Sequence, residues 1–231
     1  MGRGEVEERG TCSDAPAPQL SHGSTPLLLT LGVTGGIGAG KTTVCRILER
    51  LGARVFYADV EAKRLMEDDP ALRKELAEAF GPATYDAAGR LDRASLAAQV
   101  FGHPERLARL NALVHPRVFE AWAAFRSQAE TDGVPLVVHE AALLFEAGGE
   151  RHVDAVLVVD APLDLRLARA AARDHTSLDF VRARAVHQTP GEDLRRRATY
   201  VIFNDGDADR LEREVRALYA RLTSTPSTHA S

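Results

Sequence analysis

The run Gly35-Gly36-Ile37-Gly38-Ala39-Gly40-Lys41-Thr42 constrains this chain more than any other feature. It follows an apolar run, 27–33, that reads as a buried strand. It precedes residues 43–51, whose apolar side chains recur at helical spacing. Together these make G-x-x-x-x-G-K-[ST] in the strand–loop–helix setting that the motif requires. Glycines let successive backbone N–H groups point into one concavity suited to phosphate oxygens. The helix N-terminus adds partial positive charge there. Lys41 can reach the outer phosphates, and the Thr42 hydroxyl can ligate Mg²⁺. Gly36, Gly38, Ala39, Gly40, Lys41, Thr42 and Thr43 are therefore expected to hold the phosphates of a nucleoside triphosphate. The bland alternative is a glycine-rich turn with a chance lysine, and the matched strand and helix speak against it.

Further short apolar runs lie at 53–57, 135–140, 154–160 and 200–203, each separated by helical patterns. Such alternation predicts an α/β, three-layer fold around a five-stranded parallel sheet covered on both faces. Ligands in these sheets gather at the carboxyl ends of the strands. Residues 34–42, 57–59, 139–146 and Asp160 all fall at those ends. The helical block of about 60–130 is too long for a plain crossover and reads as an inserted, substrate-covering region. Breaks are expected inside it at Gly102-His103-Pro104 and at His115-Pro116. Residues of about 174–197 are densely charged, with a break at Pro190-Gly191, and read as a lid. The domain itself spans 25–223. Residues 1–24 read as a disordered leader and 224–231 as a flexible tail.

Composition narrows the partners. The net charge of −4 gives no reason to expect nucleic-acid binding. No apolar run approaches the ~20 residues of a membrane-spanning helix, so no membrane partner is expected. The two cysteines, Cys12 and Cys45, suggest neither a disulfide framework nor a metal cluster, which fits a cytoplasmic location. Lysine occurs only at 41, 63 and 74, every other basic residue being arginine, so an arginine is not functional merely for being one.

Further landmarks follow the phosphate loop in order: Tyr57-Ala58-Asp59, Leu113-Val114-His115-Pro116, Leu143-Leu144-Phe145-Glu146, Arg173-Asp174, Arg184 with Gln188, and Val201–Gly206. On these the chain resembles the dephospho-coenzyme A kinase family over about residues 28–222. The resemblance implies ATP-dependent, Mg²⁺-assisted phosphoryl transfer to the ribose 3′-hydroxyl of dephospho-coenzyme A, the final step of coenzyme A synthesis. It implies a core, a helical substrate-binding region and a mobile lid. A monomer or weak homo-oligomer is expected. The chain departs from the family pattern at Tyr57, where an aspartate is usual, and at Glu140 and Ala142, where aspartate and proline are common.

Individual residues take roles in that light. Asp59 can accept or orient the proton of an attacking hydroxyl, although it could instead cap a helix beginning near Val60. Lys41, Arg169 and Arg173 are expected beside it in catalysis, the guanidinium groups neutralising phosphoryl charge. Arg184 and Asn204 are assigned to the donor nucleotide. His115, Pro116, Leu143 and Glu146 are assigned with Asp59 to the acceptor. Thr42 and Glu140 are the metal candidates. Asp160 is read mainly as a helix cap, His139 as packing or solvated, and Arg195-Arg196-Arg197 as a solvated run. The chain contains no Asn-Lys pair, which argues against a guanine-reading switch. A nucleoside or nucleotide kinase shares the loop and lid and is the competing enzyme reading. A nucleotide-dependent regulatory module is the competing reading from another class.

Overall fold

A computed structural model describes residues 28–186 and 188–224. The expected leader, and the tail from residue 225 on, lie outside the described residues. Five parallel strands form one sheet: β1 (Leu29–Thr34), β2 (Arg54–Tyr57), β3 (Leu136–Glu140), β4 (Ala155–Asp160) and β5 (Tyr200–Phe203), in the order β2-β3-β1-β4-β5. Strand β1 lies at the centre and every residue of it is buried. That explains its lack of charged residues and of polar–apolar alternation, since a strand covered on both faces has no solvent side. Its one polar side chain near the start is satisfied locally. Thr30 and Asp154 exchange hydrogen bonds, with the Thr30 Oγ1 donating to the Asp154 carboxylate at 2.7 Å.

One face of the sheet is covered by α1 (Lys41–Arg50) and α9 (Ala208–Thr223). Helix α1 buries Val44, Cys45, Ile47 and Leu48, an i, i+3, i+4 stripe turned towards the strands. The other face is covered by the helical block between β2 and β3: α2 (Ala58–Asp68), α3 (Pro70–Phe80), α4 (Arg93–Val100) and α5 (Pro104–Thr131). Between β4 and β5 lie α6 (Leu163–Asp174), α7 (Leu178–Ala185) and α8 (Gly191–Arg197).

Two helix boundaries differ from the sequence pattern. Helix α5 runs unbroken for 28 residues with Pro116 inside it, so His115-Pro116 is not a break. A proline forfeits one backbone bond and crowds the preceding turn. Here Val114, Val118 and Trp122 are buried on either side of it, and that packing carries the helix through. Helix α2 begins at Ala58, directly off β2, with Tyr57 at the N-cap. Asp59 is thus a first-turn residue whose side chain caps nothing. Two other readings change for the same reason, namely tertiary partners. Asp160 is not a helix cap, because α6 starts after Pro162. The run 195–197 is solvated at Arg196 and Arg197 as expected, but Arg195 pairs with Asp160, and the exposed Arg197 pairs with Glu150 while its guanidinium lies 4.0 Å from the Phe145 ring.

Candidate active site

The carboxyl edge of the sheet carries the phosphate loop, and the neighbours of that loop explain its glycines. Gly35, Gly38 and Gly40 have positive φ, in the range that side chains disfavour. Space is the second reason. A Cβ on Gly35 would lie 2.1 Å from the Val159 carbonyl oxygen, and one on Gly38 would lie 1.9 Å from that of Arg166. The loop ends directly in α1, whose first turn has no acidic residue and no side-chain cap. Its N–H groups and partial positive charge are therefore left for an anion.

Lys41, the first residue of α1, turns back over the loop, and its Nζ donates to the Gly35 carbonyl at 2.9 Å. Burial pulls its pKa down, while Glu140 and Asp59 push it up and Arg173 pulls it down further. Glu140 ends β3 and is buried. Burial raises its pKa, Lys41 lowers it and Asp59 raises it. One ammonium group therefore faces two carboxylates at the ends of β2 and β3. Thr42 and Thr43 are exposed in the first turn of α1.

Asp59 also lines a cavity of about 210 Å³. Its walls come from α2 (Ala62, Met66), α5 (Leu110, Val114, His115) and the turn after β3 (Leu143, Leu144). Most of the lining is apolar. His115 is half-buried at the cavity, and burial lowers its pKa. Leu143 is 43% exposed at the rim. Pro116 lies one residue further along α5 and is not part of the lining. Glu146 faces elsewhere, its carboxylate accepting from the Thr189 backbone N–H at 3.0 Å and from the Thr189 hydroxyl.

The remaining candidates brace the loop or meet one another. Asn204 is buried, and its amide donates to the Ala39 carbonyl at 2.9 Å. Arg169 donates to the Asn204 carbonyl at 2.9 Å, so both hold the far side of the loop. Arg173 and Arg184 converge on Asp174, at 2.8 and 3.2 Å. Gln188 accepts from the Ile37 N–H at 2.7 Å and ties the segment after α7 to the loop. His139, read from the sequence as packing or solvated, is packed. It is 2% exposed, its ring centroid lies 4.7 Å from that of Trp122, and it lines the same cavity. Burial and His152 bring its pKa down to about 4.

A parallel sheet, a glycine loop and a helix-borne lysine, with a carboxylate shared between loop and cavity, define a small-molecule kinase of the phosphate-loop class. The dephospho-CoA kinase family model matches residues 29–210, and the chain belongs to that family. A dephospho-CoA kinase from Salinibacter ruber is 54% identical over 196 residues, covering 85% of this chain and 98% of that one. One from Deinococcus radiodurans is 48% identical over 195 residues, 84% and 93% of the two chains. Among solved structures, TT1252 from Thermus thermophilus is 41% identical with a TM-score of 0.75, covering 85% and 99%. The dephospho-CoA kinase of Campylobacter jejuni shares the fold, with a TM-score of 0.64 at 24% identity over 84% and 96%.

Proposed function

We propose that this chain transfers the γ-phosphoryl group of ATP to the ribose 3′-hydroxyl of dephospho-coenzyme A, with Asp59 as the group that receives the hydroxyl proton. The position of Asp59 carries the reading: it lines the apolar cavity and also lies within electrostatic reach of Lys41. Among the described residues its carboxylate caps no helix, so it is left for the incoming hydroxyl. In the transfer, the 3′-oxygen forms a bond to the γ-phosphorus as the bond from that phosphorus to the β-bridging oxygen breaks. The proton passes to Asp59 and ADP departs. Little covalent chemistry falls to the protein, whose contribution is positioning and charge.

Lys41 exchanges the Gly35 carbonyl for the outer phosphates. Arg173, whose charge Lys41 already feels, adds to the positive field over them. Arg169 and Asn204 act by bracing the loop, and Arg184 by holding the corner at Asp174. His115 and Leu143 contact the acceptor from the cavity wall and rim. Pro116 fixes the adjoining turn, and Glu146 holds the lid segment through Thr189.

Mg²⁺ is the expected companion of ATP. The Thr42 hydroxyl and the Glu140 carboxylate are the hard oxygen donors that would hold it. No group of three or more His, Cys, Asp or Glu suited to a metal occurs among the described residues. An Mg²⁺ ion is usually held by one or two protein carboxylates and completed by phosphates and water. Bound there, the ion would neutralise charge on the phosphates.

A coupled ADP-release assay across dephospho-coenzyme A, AMP and adenosine tests the reading, with phosphorus NMR to map the product. Turnover should require dephospho-coenzyme A and place phosphate on the 3′-oxygen. Asp59→Asn should lower kcat by at least ~10²-fold while ATP affinity holds. Equal use of AMP, or a loss under about fivefold in Asp59→Asn, would overturn it.

A further inference from the structure

We propose that Arg166 is a further phosphate-binding residue, one that grips the outer phosphates of the donor; the proposal rests on the phosphate-loop reading above. Helix α6 presents Arg166, Arg169 and Arg173 at spacings of three and four, so they share one side. Two of them are engaged by protein acceptors. Arg169 donates to the carbonyl of Asn204, and Arg173 donates to Asp174 through both Nε and a terminal nitrogen. Arg166 differs. Its Nε donates to the Ala161 carbonyl at 3.0 Å, and this is its side chain's only hydrogen bond among the described residues. The two terminal nitrogens are left without an acceptor there.

One of them, Nη1, lies on the phosphate loop. A Cβ added to Gly36 would fall 1.8 Å from the Arg166 Nη1, so the guanidinium is in direct contact with the loop backbone. Gly36 has no positive φ to explain it; the space that Arg166 fills explains it instead. Lys41 meets the same residue, with its Nζ 3.5 Å from the Gly36 carbonyl oxygen. Lys41 reaches for outer phosphates in loops of this kind, so Arg166 stands at the outer-phosphate end.

The surroundings leave positive charge over. The side chain of Arg166 is 13% exposed, and its Nε lies 3.9 Å from Asp160. Asp160 also accepts from the Ala161 N–H and pairs with Arg195. Two guanidinium groups thus share one carboxylate that is already committed. A planar fork with open donors, fixed at its Nε and held out of water, suits bidentate binding of phosphate oxygens. The arginine-rich background hides this from sequence, because the helix spacing does not say which arginine finds a protein partner.

Titration calorimetry on the full chain tests it, using ADP and a non-hydrolysable ATP analogue as probes. Arg166→Gln should weaken the triphosphate by about tenfold or more, the scale of a lost charged hydrogen bond. The diphosphate should weaken at least about threefold less than that, because the outermost phosphate is the one lost. Arg166→Lys keeps the charge without the fork and should fall between parent and Arg166→Gln. Should Arg166→Gln melt well below the parent, Arg166→Lys decides. Triphosphate affinity within twofold of the parent in the deciding variant overturns the proposal. So does equal weakening of both nucleotides, which would mark a general distortion of the loop. Lys41→Ala is run alongside. If it weakens triphosphate binding and Arg166→Gln does not, only the Arg166 proposal fails; if Lys41→Ala changes nothing, the phosphate-loop reading fails with it.

Discussion

The phosphate loop and the apolar cavity meet at Asp59 yet are built in opposite ways. The loop is backbone: its shape comes from glycines that admit positive φ and from close neighbours that no side chain could share. The cavity is side chain: its wall is assembled from α2, α5 and the turn after β3, elements far apart in sequence. One region concentrates charge around Lys41, Glu140 and Asp59. The other is mainly apolar, with His115 and His139 as its basic groups. The contrast suits phosphoryl transfer, where one substrate brings most of the charge and the other must be oriented.

The sharpest way to break this comparison is to empty the loop of its cation. Lys41→Ala should reduce kcat by about 10³-fold, at the upper end for loss of one electrostatic group. Because the lysine charge sits partly buried and its pKa is pulled down, the melting temperature should change little or rise. Steady-state kinetics beside thermal unfolding measures both. A variant that is both destabilised and active would assign Lys41 to the scaffold.

The cavity side should answer to acid instead. His139 has a folded pKa of about 4 against an ordinary 6.5, because burial and His152 disfavour its charged form. Its folded state binds the proton less well than the unfolded state. The stability it contributes is therefore fully present above pH 6.5 and is lost as pH falls towards about 4. The loss should level off near 3 kcal/mol, the worth of about two and a half pKa units. Urea unfolding of the parent and of His139→Leu between pH 7 and pH 4 isolates it. Two profiles that run parallel would show that His139 is not the group being charged.

The smallest expected effect is the most discriminating. His115→Ala should raise KM for dephospho-coenzyme A about tenfold, the scale of one lost hydrogen bond. KM for ATP should stay within twofold. A matched rise in both would mean that loop and cavity are not separate sites.

Legibility in the sequence followed the same divide. The strands and the loop could be read because their signals are local: an apolar run, glycines at fixed spacing and a lysine on the following helix. The parallel five-stranded sheet followed from that alternation and is what the structure has. Helix α5 could not be read through Pro116, because the burial that sustains it comes from residues of other elements. Nor could the arginines be sorted. Arg169 and Arg173 have protein acceptors and Arg166 lies on the loop, and this depends on Asn204, Asp174 and Gly36. His139 offered one signal, a histidine closing the apolar run Leu136–Val138 just before Glu140, but not which cavity it would line.

Cys45 gives the donor half a clock of its own. The thiol lies on α1 one turn after Lys41, with no surface exposed, and burial pushes its pKa far up. A thiol reagent attacks only the thiolate, so Cys45 stays silent while α1 is seated. Its labelling rate should therefore count the moments at which the helix lifts from the sheet. Nucleotide binding should slow that count in proportion to its occupancy. Enzyme turnover is not needed to read it, so even inactive variants can report how firmly they hold the donor.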